Sequence, residues 1–136
     1  MIQVELSKII IDEKRQDQII VLKEKNGERQ FPIVIGFLEA SSIKMKLSNV
    51  ETPRPMTHDL LFLAIESLDA KVDQLIIDKL VNSTFHAKVL LKTSDGKIKT
   101  VDARPSDGVA LAVRAGAPIF VDEEVLKKAS IFSATE

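Results

Sequence analysis

The chain has 136 residues, enough for one domain with a buried core, and its 45% hydrophobic and 29% charged residues match an ordinary soluble globular protein. It contains no cysteine, which excludes disulfide frameworks, thiolate catalysis and cysteine-ligated zinc. A net charge of −1 provides no overall basic excess for nucleic acid, and with no Trp or Tyr and 6 Phe there are few platforms for stacking bases.

Residues 2–11 alternate at first (Ile2, Val4, Leu6) and then become continuously apolar at Ile9-Ile10-Ile11, the pattern of a strand entering a buried sheet. A charged turn over 12–17 leads to a second strand at 19–22. Lys25-Asn26-Gly27-Glu28 reads as a hairpin turn into a third strand at 31–35, which predicts a three-strand meander. Gly36 opens a helix to about residue 49, with Leu38, Ala40, Ile43 and Leu47 able to cover one face and Lys44 and Lys46 pointing elsewhere. Residues 50–55 hold two prolines and form a connection. The next helix, with Thr57 as its N-cap, runs to about residue 69. It is apolar nearly all round (Leu60, Leu61, Phe62, Leu63, Ala64, Ile65, Leu68), which predicts a central position or a subunit interface.

Strands at 75–81 and 85–91 join through Asn82-Ser83, and another at 98–102 follows the turn Ser94-Asp95-Gly96. If Asp95-Gly96 are the two turn residues, Lys92 lies opposite Lys99, with Lys88 and Lys97 on the same face. Facing like charges are unfavourable, so a solvated face with splayed lysines is expected over a phosphate surface. A helix with Ser106 as N-cap ends near Gly116, a short strand follows at 118–121, and a last helix runs from Asp122 or Glu123 to about 129. The apolar stretch over 109–121 is broken by Arg114 and Pro118, so no run reaches the ~20 residues that span a bilayer. With no secretory pattern at the N-terminus, a cytoplasmic protein without a membrane partner is expected. The element order predicts an α+β fold, a single domain over 1–130 with a mixed or antiparallel sheet and about four helices, and a short tail over 131–136.

Two corners carry the polar chemistry. Asp102-Ala103-Arg104-Pro105-Ser106-Asp107 reads as strand end, sharp corner and helix start, because proline holds its predecessor extended and Ser106 can cap the helix. Arg54-Pro55-Met56-Thr57-His58-Asp59 repeats the arrangement upstream. Each couples an arginine to free helix N–H groups, a combination suited to phosphate, although Arg54 and Arg104 could equally brace Asp59, Asp102 or Asp107. His58 is the best general acid or base, since imidazole titrates near neutrality; His86 alternates with Lys88 on an exposed strand face and is weaker. Asp59 and Glu66 are seven apart, as are Asp107 and Arg114, which puts each pair on one helix face about 10 Å apart. Each member therefore needs a partner from another element. Asp102, Asp107, Asp59 and Glu39 could offer oxygen to a magnesium- or manganese-like ion, although helix-start aspartates are more often cap residues.

Pro53-Arg54-Pro55-Met56-Thr57-His58-Asp59-Leu60-Leu61, Asp102-Ala103-Arg104-Pro105-Ser106-Asp107 and Arg114-Ala115-Gly116-Ala117-Pro118-Ile119-Phe120-Val121 resemble the bifunctional nuclease domain family. Phe31-Pro32-Ile33-Val34-Ile35-Gly36 with Glu39-Ala40 matches the family's early strand-to-helix segment. The likeness covers nearly the whole chain, to about Ala129. It implies a compact α+β homo-oligomer and an activity on both DNA and RNA, and it supplies no settled mechanism. Two positions depart from the family pattern: His86 stands where tyrosine is frequent, and Gly108 where alanine is usual, which weakens the helix slightly.

Two functions are therefore expected. The first is a metal-assisted nuclease of low sequence specificity acting on DNA and RNA. Its catalytic residues are His58, Asp59 and Asp107, and Arg54, Thr57, Arg104 and Ser106 hold phosphate. Asp102, Asp107 and Glu39 hold a magnesium or manganese ion. The second is a non-catalytic, homo-oligomeric module that binds an anion, a nucleotide or a protein, which the near-neutral charge and the lack of a strong catalytic signature favour.

Overall fold

The computed structural model describes residues 1–12, 14 and 17–130, so half of the charged turn and the tail over 131–136 lie outside the described residues. The chain runs β1 (Ile2–Ile10), β2 (Asp17–Glu24), β3 (Gln30–Gly36), α1 (Phe37–Leu47), α2 (Thr57–Ser67), β4 (Lys71–Val81), β5 (Thr84–Lys92), β6 (Ile98–Ala103), α3 (Pro105–Ala115), β7 (Ile119–Val121) and α4 (Glu123–Ala129). The seven strands form one sheet in the order β3-β2-β1-β7-β4-β5-β6. Among the described residues, four helices and a mixed sheet make the predicted α+β fold.

Two antiparallel meanders, β1-β2-β3 and β4-β5-β6, are joined by the three residues of β7. Ile119 and Val121 are buried, and β7 pairs antiparallel with β1 (Val4 with Ile119) and parallel with β4 (Leu75 with Ile119). A short strand suffices because it is covered on both edges. The β4–β5 hairpin turns through Asn82 and Ser83, both with left-handed φ (51° and 63°), the geometry that matches strand twist.

The β5–β6 register corrects one expectation. The connection is longer than two residues, with the Thr93 amide donating to the Lys97 carbonyl, so Lys92 lies opposite Ile98 rather than Lys99. Lys88 instead faces Asp102, and the two pair at 2.9 Å. The ladder thus sets opposite charges across from each other, the favourable arrangement.

Helix α3 packs on β4 and β5 and is flanked by α1 and α2. Its buried face includes Val109, Ala110, Leu111 and Ala112, and Gly116 ends it in a left-handed cap. Gly108 has a packing reason: a Cβ there would come within 2.4 Å of Leu75, itself fully buried on β4. The other two helices of the layer are less buried than their sequences predict. Ala40 and Ile43 of α1 enter the core, but Leu38 and Leu47 stay exposed. In α2 only His58 and Ile65 are buried, while Leu60, Leu61 and Leu63 are exposed. A central position for α2 is therefore excluded. Among the described residues, no helix is long and apolar enough to cross a membrane.

Candidate active site

The N-termini of α2 and α3 meet beside α1, and a cleft of about 330 Å³ opens between them. Neither corner is capped by its hydroxyl residue as the sequence suggested. Met56 is the N-cap of α2, its amide donating to Asp59 Oδ2 at 3.0 Å, and Thr57 is the first helical residue. Arg104 is the N-cap of α3, Pro105 occupies the first turn where no amide partner is needed, and Ser106 turns into the interior. With the cap one residue earlier than expected at α2 and two residues earlier at α3, His58 and Asp107 turn towards each other.

His58 is 9% exposed and both of its ring nitrogens are engaged. Nε2 lies 2.9 Å from Asp107 Oδ1, and Nδ1 lies 2.7 Å from the hydroxyl of Ser42 on α1. A carboxylate only accepts, so Nε2 carries a proton; in the neutral ring Nδ1 then accepts the hydrogen of Ser42. Asp107 is held on its other oxygen by Arg104 Nε at 2.7 Å. Burial alone would raise the Asp107 carboxyl, but the hydrogen bonds from Arg104 and His58 hold it below the usual aspartate range. The same pair raises Arg104, whose side chain remains 68% exposed at the cleft with Glu39 Oε2 3.9 Å away.

One member of each i, i+7 pair meets a member of the other across the two helices. Arg114 of α3, only 6% exposed, donates from Nε to Asp59 Oδ1 of α2 at 2.7 Å. It also donates to the Ala110 carbonyl at 2.9 Å and to Ser42 Oγ at 3.1 Å, so one guanidinium ties α1, α2 and α3 together. The hydrogen bond from Arg114, helped by the Met56 amide, lowers the Asp59 carboxyl.

Of the residues singled out in the sequence, Glu39, Thr57, His58, Asp59, Arg104 and Asp107 line this cleft. Three others do not. Arg54 is exposed on the connection before α2 and makes no ion pair among the described residues. Ser106 is buried on the far side of its corner, and Asp102 is held by Lys88, whose ammonium lowers its carboxyl. The strand alternation that carries Asp102 towards Lys88 separates it from Glu39 and Asp107. The expected set Asp102, Asp107 and Glu39 is thus not assembled, and no group of three His, Asp or Glu side chains among the described residues is arranged to hold a metal ion. With both Asp107 oxygens occupied and Arg104 between the two remaining carboxylates, these residues do not fit a divalent ion.

Sequence reasoning missed Ser42, and it gave Arg114 no named partner on another element. The signal for Ser42 was present on α1: Glu39, Ser42 and Lys46 recur at i, i+3 and i+7 as a polar stripe, and all three line the cleft. Nothing in the spacing tied Arg114 to an aspartate 55 residues upstream.

Residues 20–134 match the model of the Bifunctional nuclease domain. An uncharacterized protein of Mycobacterium tuberculosis strain H37Rv is 40% identical over 128 residues, 94% of this chain and 76% of its own. Bifunctional nuclease 1 of Oryza sativa subsp. indica is 27% identical over 109 residues, 78% of this chain. Bifunctional nuclease 2 of Oryza sativa subsp. japonica is 29% identical over 114 residues, 82% of this chain. The aligned part amounts to 33% and 35% of those rice proteins. A family model that matches most of the chain, with a relative at 40% identity along nearly all of it, shows that this chain belongs to the bifunctional nuclease domain family.

Proposed function

We propose that the protein is a nuclease that hydrolyses phosphodiester bonds of DNA and RNA with low sequence specificity, with its active site in the cleft around His58. The observation that carries this reading is the His58 ring, held by Asp107 and facing a hydroxyl, beside the exposed guanidinium of Arg104. A histidine oriented by a carboxylate is the usual means of moving a proton in hydrolysis. Arg104 presents a planar fork that suits a phosphate, and its bond to Asp107 fixes its direction. A magnesium or manganese ion would find two carboxylates here, Glu39 and Asp107, both facing Arg104. Proton transfer by residues is therefore the chemistry this wall supports.

We also infer a homo-oligomer, with a second copy covering the exposed leucines of α2, and a cytoplasmic location. The alternative function, a non-catalytic binding module for an anion, a nucleotide or a protein, is favoured by one observation: Asp59 and Asp107 are each already held by an arginine, so neither carboxylate is free to act as an acid or base.

Cleavage of single- and double-stranded DNA and RNA by wild type and His58→Ala, with magnesium, manganese or EDTA, tests the reading. The expected result is activity that co-purifies with the protein and falls at least about a hundredfold in the variant. Equal trace activity in both would leave a contaminant as its source and make the binding module the function. Loss of activity in EDTA would assign the reaction an ion that the residues of a single chain do not arrange.

A further inference from the structure

Both nitrogens of His58 are occupied, and this restricts what the ring can act on. Asp107 takes the Nε2 proton and is itself fixed by Arg104, so that end only orients and stabilises the ring. At Nδ1 the neighbour is the Ser42 hydroxyl, 2.7 Å away and in the same cleft wall. Arg114 Nη2 donates to Ser42 Oγ at 3.1 Å, which occupies an oxygen lone pair and leaves the hydroxyl hydrogen to point at Nδ1. A hydroxyl within hydrogen-bond reach of a base, with the base held by a carboxylate, is the arrangement that activates a serine nucleophile on unrelated folds. Here the serine has a cation at its oxygen as well, which stabilises negative charge as it develops.

We propose that Ser42 is the nucleophile and that cleavage proceeds through a phosphoserine intermediate. In the first step Ser42 Oγ forms a bond to phosphorus while its proton passes to His58 Nδ1. The bond from phosphorus to the leaving sugar oxygen breaks; that oxygen departs with the bonding pair, opposite Ser42, and takes a proton from a water. In the second step another water attacks phosphorus and the bond to Oγ breaks. Oγ then recovers the proton held on His58, and the attacking water's proton returns to solvent. Asp107 balances the imidazolium between the two steps. The inference rests on the nuclease reading for its substrate, a phosphodiester, but the nucleophile can be tested without nucleic acid.

The test combines labelling by an alkyl fluorophosphonate, read by intact mass and peptide mapping, with cleavage of DNA and RNA by wild type, Ser42→Ala and His58→Ala. In the labelling reaction Oγ displaces fluoride from phosphorus. Ser41 adjoins Ser42 and lines the same cleft without a bond to His58, so it is an internal control. We expect label on Ser42 and not on Ser41, loss of that label in His58→Ala, and a drop in cleavage of at least about a thousandfold in Ser42→Ala with its melting temperature kept. Label on both serines alike, or on neither, would overturn the proposal. So would a Ser42→Ala variant that cleaves as wild type does; if His58→Ala were then inactive, the nuclease reading would stand with His58 acting on water. Label specific to Ser42 with no cleavage of either nucleic acid would instead uphold the nucleophile and remove the nuclease reading.

Discussion

At the scale of single residues, the cleft is built from interactions that each constrain the next. Arg104 fixes Asp107, Asp107 fixes the His58 ring, and Arg114 fixes both Ser42 and Asp59. Arg114 is the most heavily used side chain, and a lysine could not replace it, because a single ammonium cannot span Asp59, the Ala110 carbonyl and Ser42 in their fixed directions. The pairing has a consequence for acid stability. Asp59 binds its proton less readily in the folded chain than in the unfolded one, since Arg114 and the Met56 amide favour the charged form. Its contribution is therefore present above the ordinary aspartate range near pH 4 and is lost as the pH falls through the lower, folded value. Melting temperature measured from pH 7 down to pH 2 should fall more steeply for wild type than for Asp59→Asn, whose side chain no longer titrates. Parallel curves would remove the Asp59–Arg114 pair as a source of acid sensitivity.

Among the elements, α3 and the β4–β5 hairpin have the most exacting packing. The closeness of α3 to the sheet depends on Gly108, whose missing side chain leaves room for Leu75. Gly108→Ala should gain about 1 kcal/mol of helix propensity and lose more than that in displacing a buried leucine, because overpacking costs about 1–3 kcal/mol. A urea titration should show a net loss of up to about 2 kcal/mol. Combined with Leu75→Val, which removes the colliding carbon, the loss should be smaller than the sum of the single changes, as for any pair in direct contact. The hairpin offers the opposite case. Ser83 is held at φ 63° with a Cβ that disfavours it, so Ser83→Gly should raise stability by up to about 1 kcal/mol. An unchanged or lowered melting temperature would mean that the serine has a compensating role in the turn.

For the whole molecule, the apolar surface of α2 is the feature a single chain leaves unexplained. Leu60 is 62% exposed and Leu68 79%, with Leu61 and Leu63 beside them, on a helix whose charged residues are few. Scattered apolar side chains are normal on a surface, but a continuous group of this kind marks an interaction site. A second copy is the occupant inferred above, and Leu60→Glu with Leu63→Glu should convert the oligomer to monomer in light scattering while the fold, followed by circular dichroism, is kept. A wild type that is already monomeric at micromolar concentration would overturn that inference.

The sequence by itself determined the local elements and the family. Alternating and continuous apolar runs marked the strands, Arg-Pro corners marked the starts of α2 and α3, and the motifs around His58 and Asp107 carried the resemblance. These signals are legible because they depend on neighbours within a few residues. Only the tertiary structure decided which strands neighbour β7, that α2 lies at the surface, and that Asp102 turns to Lys88 while Asp107 turns to His58. It also brought Ser42 and Arg114 to the cleft, 72 residues apart along the chain. The physical reason is that a helix or strand pattern states which side chains share a face, whereas the partner of that face depends on how distant elements pack. For the two corners, a displacement of the helix cap by one residue at α2 and by two at α3 was enough to exchange the hydroxyls for the histidine and the aspartate.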